Sequence, residues 1–260
     1  MKWSALPLVV RRVVVLVALG ALWEILPALT GANPLLFPPA SAALRAWWDG
    51  IISGEILLVT QRSLTVLLVG LALGIGGAIL LAIFGIFTTL GRDVLETLTG
   101  MFNPLPAIAV FPLALLWFGI GDKSLLFVIF HAVVWPLAIS IFTGFISVPR
   151  IFLMVGENYE LRGPHLVWRV YVPAALPHVV SGLKIAFAFA WRTLVAAELV
   201  FGVIGGQGGL GWFIYRARYY METAQVFAGL ATIVLVGLLV ENLVFRPLEG
   251  ATIRRWGMSV

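Results

Sequence analysis

The sequence has no cysteine, which excludes disulfides and thiolate metal sites. It has three histidines in 260 residues, none at ligand spacing, so no metal site is expected. Charge is scarce: Asp, Glu, Lys and Arg make up 11%, against about a quarter in soluble domains. There is no Gly-Lys-Ser/Thr phosphate loop. The run Gly205-Gly206-Gln207-Gly208-Gly209-Leu210-Gly211 has the glycines without that ending. No long soluble stretch, low-complexity linker or internal repeat of the secondary-transporter kind is evident.

What is present is apolar sequence, 61% of the chain, spread over its whole length. That predicts an all-α polytopic membrane protein resting in a lipid bilayer. The net charge of +5 then reads as the bias of inner loops, with no nucleic-acid partner. Apolar runs place six spans at about 13–29, 63–87, 97–119, 125–146, 179–203 and 224–245. The first follows Lys2, Arg11 and Arg12, carries Glu24 near its outer end and is stopped by Pro27. No small-x-small site follows, so it reads as an uncleaved span. With both termini inside, the inner segments hold Lys2, Arg11, Arg12, Arg92, Arg150, Arg162, Arg169, Arg246, Arg254 and Arg255. The outer ones hold Arg45, Arg62, Lys123, Arg216 and Arg218, ten against five.

The spans carry local signals. An amphipathic piece over 42–48 with paired tryptophans reads as an interfacial anchor, with a gating role as the other reading. Gly70, Gly74 and Gly77 share one helical face and invite close helix packing. Residues 88–96 read as a short polar loop. Pro104, Pro106 and Pro112 break the third span, which is either a bent helix beside a pathway or a kinked structural helix. His131 is either functional or bonded to a neighbouring helix. Lys184 can snorkel to the inner surface. Arg192 and Glu198 are poorly spaced to pair on one straight helix. Arg192 would favour an anion, or neutralise Glu198 or a carboxylate on another span, and the structural role is preferred. The candidates for a translocation path are therefore Pro104, Pro106, Trp117, His131, Arg192 and Glu198.

The longest polar interruption covers 150–177, between spans four and five. Val155, Tyr159, Leu166 and Val170 have helical spacing that leaves charges on other faces. Pro164 breaks the pattern, so two short helices joined at Arg162-Gly163-Pro164-His165 are expected. The coupling residues would be Glu157, Glu160, Leu161, Arg162, Gly163, Pro164 and His165, with the tip 160–165 in the groove of a second protein. The other reading is a solvated loop on the headgroups.

Four stretches carry a family resemblance: NPLPAIAVFPLALLWFGIG (103–121), VYVPAALPHVVSGLK (170–184), WRTLVAAE (191–198) followed by GGLG (208–211), and RWG (255–257). Over about 35–257 the chain resembles permease subunits of bacterial ABC importers of the nitrate/sulfonate/bicarbonate (taurine-type) family. That family's coupling loop has Glu-Ala-Ala, then Gly, then Ile/Val-x-Leu-Pro. Anchored on Val170 to Pro173, the Gly falls at Glu160 and the Glu-Ala-Ala at Met154, Val155 and Gly156. None matches, and Gly163 lies three residues late. The resemblance implies the type I importer permease fold in the bacterial inner membrane. It implies a second copy of the chain, two ATP-binding subunits that hold ATP and Mg, and an extracytoplasmic solute-binding protein. The chain itself would bind no cofactor and catalyse nothing. The solute would be a small anion, sulfonates first, then nitrate or bicarbonate. The other classes are an ATP-independent transporter or channel using His131, Arg192 and Glu198, and a non-transporting scaffold.

Overall fold

The computed structural model describes residues 7–202, 208–250 and 252. Those residues form helices and no strands. In chain order they are α1 (Leu8–Thr30), α2 (Ala40–Ile52), α3 (Glu55–Phe87), α4 (Thr89–Phe102), α5 (Phe111–Phe118), α6 (Asp122–Ile146) and α7 (Arg150–Asn158). Then follow α8 (Pro164–Phe201), with a π turn at Val167–Tyr171, α9 (Leu210–Tyr219), and α10 (Thr223–Glu249), with a π turn at Glu241–Phe245. Five of these are long and apolar enough to cross a bilayer. The short α4 and α5 make a sixth crossing only as a pair, bent by 91°.

The centre of the bundle is α6, packed between α3 and α8. The glycine face of α3 meets α6 at van der Waals limits. A Cβ at Gly70 would lie 2.6 Å from Ile129, and one at Gly74 2.6 Å from Val133. One at Gly77 would lie 2.6 Å from Phe130. Missing side chains are what let the two backbones approach. Ion pairs tie the ends together: Arg62 of α3 to Asp122 of α6, Arg216 of α9 to Glu55 of α3 at 2.5 Å, and Lys184 of α8 to Glu241 of α10 at 2.7 Å. The Lys184 side chain is partly exposed, 39%, and pairs with Glu241 and Glu249 at that end of α10.

Three local expectations change. Pro27 does not end α1. A proline forfeits one hydrogen bond, and the helix continues until Gly31 takes the left-handed conformation (φ 62°) that terminates it. Residues 88–96 are not a loop: Thr88 caps α4 by accepting a bond from the Gly91 N–H at 2.8 Å. Leu95 and Thr99 of that amphipathic helix are buried. Finally, α8 begins at Pro164, so the second helix of the expected hairpin is not short but runs on into the fifth span.

The first helix is nearly detached, with 6% of its apolar window buried. It is held at one end. The Trp23 indole N–H donates to the Pro38 carbonyl at 3.1 Å, and Glu24 accepts bonds from the N–H and hydroxyl of Ser41 at the start of α2. α2 in turn is fixed to α10 by the Trp47 N–H donating to Thr232 at 3.1 Å.

Candidate functional site: a hairpin at one end and a polar seam through the bundle

The helix α7 starts after Pro149 and ends in a left-handed turn. The Leu161 N–H bonds to the Gly156 carbonyl and the Glu160 N–H to the Glu157 carbonyl, which is the Schellman arrangement. Its left-handed residue is Glu160, φ 58°. This is the position where the register above puts the family's glycine, so here a non-glycine residue holds the left-handed conformation. Gly163 takes the second positive φ, 53°, and Pro164 opens α8 at its first turn, where a proline costs least. Pro164 therefore initiates a helix and does not break one.

The expected coupling residues Glu157, Glu160, Arg162, Gly163, Pro164 and His165 are all exposed, and Leu161 is half-buried. Leu166 and Val170 pack against Gly156, where a Cβ would lie 2.7 Å from Leu166. Val155 and Tyr159 do not join them and stay exposed. Spacing alone missed this apolar face: Ile151, Phe152, Met154 and Val155 of α7, with Trp168 of α8, project outward. Beside them is a groove of about 410 Å³ between Phe152, Tyr159, Leu161, Arg169 and Pro173.

The second site lies where the chain turns at Pro104 and Pro106. Pro104, Pro106, His131 and Arg192 line one cavity of about 310 Å³. Trp117 lines an adjoining apolar cavity of about 410 Å³, reached past His131 and Trp135. His131 is 8% exposed, and neither ring nitrogen has a hydrogen-bond partner among the described residues. It is not bonded to a neighbouring helix. The Trp135 indole N–H is equally unpartnered.

Arg192 is exposed, with its guanidinium over Phe189 at 5.8 Å and no carboxylate within ion-pair distance among the described residues. The preferred role, neutralising Glu198 or a carboxylate on another span, finds no partner among the described residues, and Glu198 points into a different junction. It is 3% exposed and accepts bonds from the Ser63 hydroxyl and the Gly211 N–H, each at 2.9 Å. Ser63 also accepts from the Leu210 N–H at 2.9 Å. A Cβ at Gly209 would lie 2.1 Å from the Glu198 carboxylate, so the close approach of α9 to α3 and α8 needs that glycine. Residues 205–207 of the same glycine run lie outside the described residues.

Arg192 sits on a longer stripe. His178, Ser181, Ile185, Phe189 and Arg192 are exposed along one face of α8. A second cavity of about 310 Å³, between Ser140, Thr143, His178 and Ser181, continues the first along the α6–α8 seam. From Ala196 to Pro177 the seam covers roughly 28 Å at 1.5 Å per residue, close to the ~30 Å hydrocarbon core of a bilayer.

A helical membrane bundle with a charged, uncovered seam through its thickness and an apolar hairpin at one end has the build of a translocation subunit. Residues 90–248 match the family described as binding-protein-dependent transport system inner membrane component. The chain is 29% identical to the taurine transport system permease protein TauC of Escherichia coli (strain K12), over 92% of this chain and 88% of that protein. It is 32% identical to a probable ABC transporter permease protein of Brucella melitensis, over 85% and 87% of the two chains. It is 27% identical to the nitrate import permease protein NrtB of Synechococcus elongatus, over 86% and 83%.

The chain belongs to the binding-protein-dependent transport system inner membrane component family. It is a multi-pass inner-membrane permease subunit of an ABC importer, the translocation part and not an enzyme in itself.

Proposed function

We propose that two copies of this chain form the membrane path of an importer for a small anion, sulfonates first, powered by two ATP-binding subunits gripping the 150–165 hairpin. The carrying observation is α8 itself. One helix of 38 residues joins the hairpin tip at Pro164 to Arg192 at the cavity. At 1.5 Å per residue it is roughly 57 Å long, a lever with the motor contact at one end and the path beyond its midpoint. The exposed apolar residues of α7 give a partner a hydrophobic face to hold, and the left-handed turn at Glu160 fixes the tip.

The hairpin and both termini face the cytoplasm in this reading, which agrees with the ten-to-five excess of basic residues. ATP and Mg are bound by the partner subunits. A solute-binding protein docks at the α9 end. The second copy follows from Arg192: a guanidinium facing lipid near the middle of a span costs about 2.5–3.5 kcal/mol even on insertion scales. A second α6–α8 seam laid against the first encloses it. Anionic solutes fit Arg192, a cation of the seam with no carboxylate partner among the described residues, and relatives named for taurine, aliphatic sulfonates and nitrate point the same way. An ion relay through His131, Arg192 and Glu198 is disfavoured because Glu198 is bonded elsewhere.

The test is affinity purification of the tagged chain with its ATPase subunits. The unaltered chain is expected to retain them. Arg162→Glu, or deletion of residues 160–165, is expected to lose them while the permease still elutes as a folded species. Retention by both variants refutes the proposal.

A further inference from the structure

We propose that α8 is a jointed lever: it bends at residues 173–177, bearing on Gly144 of α6, and the motor's stroke reaches the seam through that joint. This rests on the permease reading and names the moving part within it.

The joint comes from the prolines. A proline inside a helix donates no N–H, and its ring crowds the carbonyl four residues back. Pro173 and Pro177 are four apart, hence on one face, one turn after the other. The carbonyls that lose their usual donors, those of Arg169 and Pro173, lie on that face as well. The turn before Pro173 is widened in response: the Val172 N–H bonds to the Val167 carbonyl, five residues back instead of four. The same response recurs in α10, where Arg246, just before Pro247, bonds to the Glu241 carbonyl. In α8 a second proline follows the widened turn, so 167–177 is weakened over successive turns along a single face. A helix weakened in that way bends there, and in one direction.

The segments on either side are firmly packed. On the hairpin side, Leu166 and Val170 close on Gly156, where a Cβ would lie 2.7 and 3.1 Å from them, so residues 164–170 travel with α7. On the bundle side, Gly182 lies against Ser140 of α6 with no room for a Cβ, and Lys184 and Phe187 meet Glu241 and Phe245 of α10. Beyond the joint, α8 therefore travels with the bundle. Between the two bodies Ala175 is fully buried, 0% exposed, two residues from each proline. Its carbonyl lies 3.1 Å from the Cβ position of Gly144. The bearing point and the weak turns coincide, and a glycine opposite leaves no side chain to block a change of angle.

The experiment uses the complex of the full chain with its ATPase subunits. The sequence has no cysteine, so Ile185→Cys puts a single thiol on the seam. Its labelling by fluorescein maleimide is timed in the resting complex and after trapping with ATP and vanadate. The rate is expected to change severalfold on trapping. Pro173→Ala combined with Pro177→Ala restores both missing N–H groups and stiffens the joint. That complex is expected to keep its ATPase subunits, hydrolyse ATP and melt higher than its parent, while its labelling rate no longer responds to trapping. A purely structural pair of prolines would leave the response in place. If the double variant does not assemble, Pro173→Ala and Pro177→Ala are taken singly, each expected to reduce the response. An unchanged response in the assembled alanine variants overturns the joint and leaves the permease reading standing. A parent chain that holds no ATPase, or whose seam ignores trapping, removes the permease reading and the joint with it.

Discussion

Replacing Glu198 by alanine tests whether this carboxylate is a structural clamp. The side chain is buried and takes bonds from two elements, the Ser63 hydroxyl of α3 and the Gly211 N–H of α9. Alanine leaves the Gly211 N–H facing a void. Ser63 keeps only its role as acceptor for the Leu210 N–H. Hydrogen bonds to a charged group contribute about 1.5–3 kcal/mol each, so two give about 3–6 kcal/mol. At about 2–4 °C per kcal/mol for chains of this size, the melting temperature of the purified complex should fall by about 6 °C or more. Size-exclusion recovery after stepwise heating in detergent reads this directly. Glu198→Gln keeps the shape but turns an amide N–H₂ toward one donor, so it should fall about half as far. Ser63→Ala and Glu198→Ala remove one shared bond, and their losses should not add. A Glu198→Ala complex melting within about 2 °C of the parent, or full additivity with Ser63→Ala, refutes the clamp.

Two smaller perturbations follow from the backbone. Glu160→Gly relieves a left-handed residue, about 1–2 kcal/mol, against an unfolded-state entropy loss of about 0.5–1 kcal/mol. It should raise the melting temperature by a few degrees in the same assay, whereas Glu160→Val should lower it. Gly74→Leu puts a side chain where Val133 already lies 2.6 Å from the Cβ position. It should abolish recovery of monodisperse protein from membranes, while Gly76→Leu, at a glycine with open space around it, should be tolerated.

The apolar runs and the glycine face of α3 were legible because they depend on local composition and on one helical period. The hairpin was legible by its place between two spans. What escaped depended on distant partners. Arg92, Asp93 and Glu96 made 88–96 look like a loop, because the cap at Thr88 and the buried Leu95 count only once α4 is folded onto its neighbours. Pro27 looked like a stop because helix continuation past a proline is decided by what lies downstream. The partner of Glu198 is Ser63, 135 residues earlier. No spacing rule joins them, so the sequence leaves open whether Glu198 meets Arg192 or a group on another helix. Pro104, Pro106, His131 and Arg192 each stand out of place in an apolar span, and the fold gathers these four around one cavity, with Trp117 in the adjoining one and Glu198 in neither. The exposed α7 face of Ile151, Phe152, Met154 and Val155 was not legible, because helical spacing does not say which side of a short helix is covered.

The near-solitary standing of α1 has a consequence for how this chain meets membranes of differing thickness. A bilayer thinner than the helix is accommodated by tilting, at a fraction of a kcal/mol per Å. Because α1 is pinned at its Trp23–Glu24 end and otherwise little buried against the bundle, it can swing without dragging α3, α6 or α8 along. Lipid variation is then absorbed by a helix that takes no part in the seam, and the central three keep their spacing.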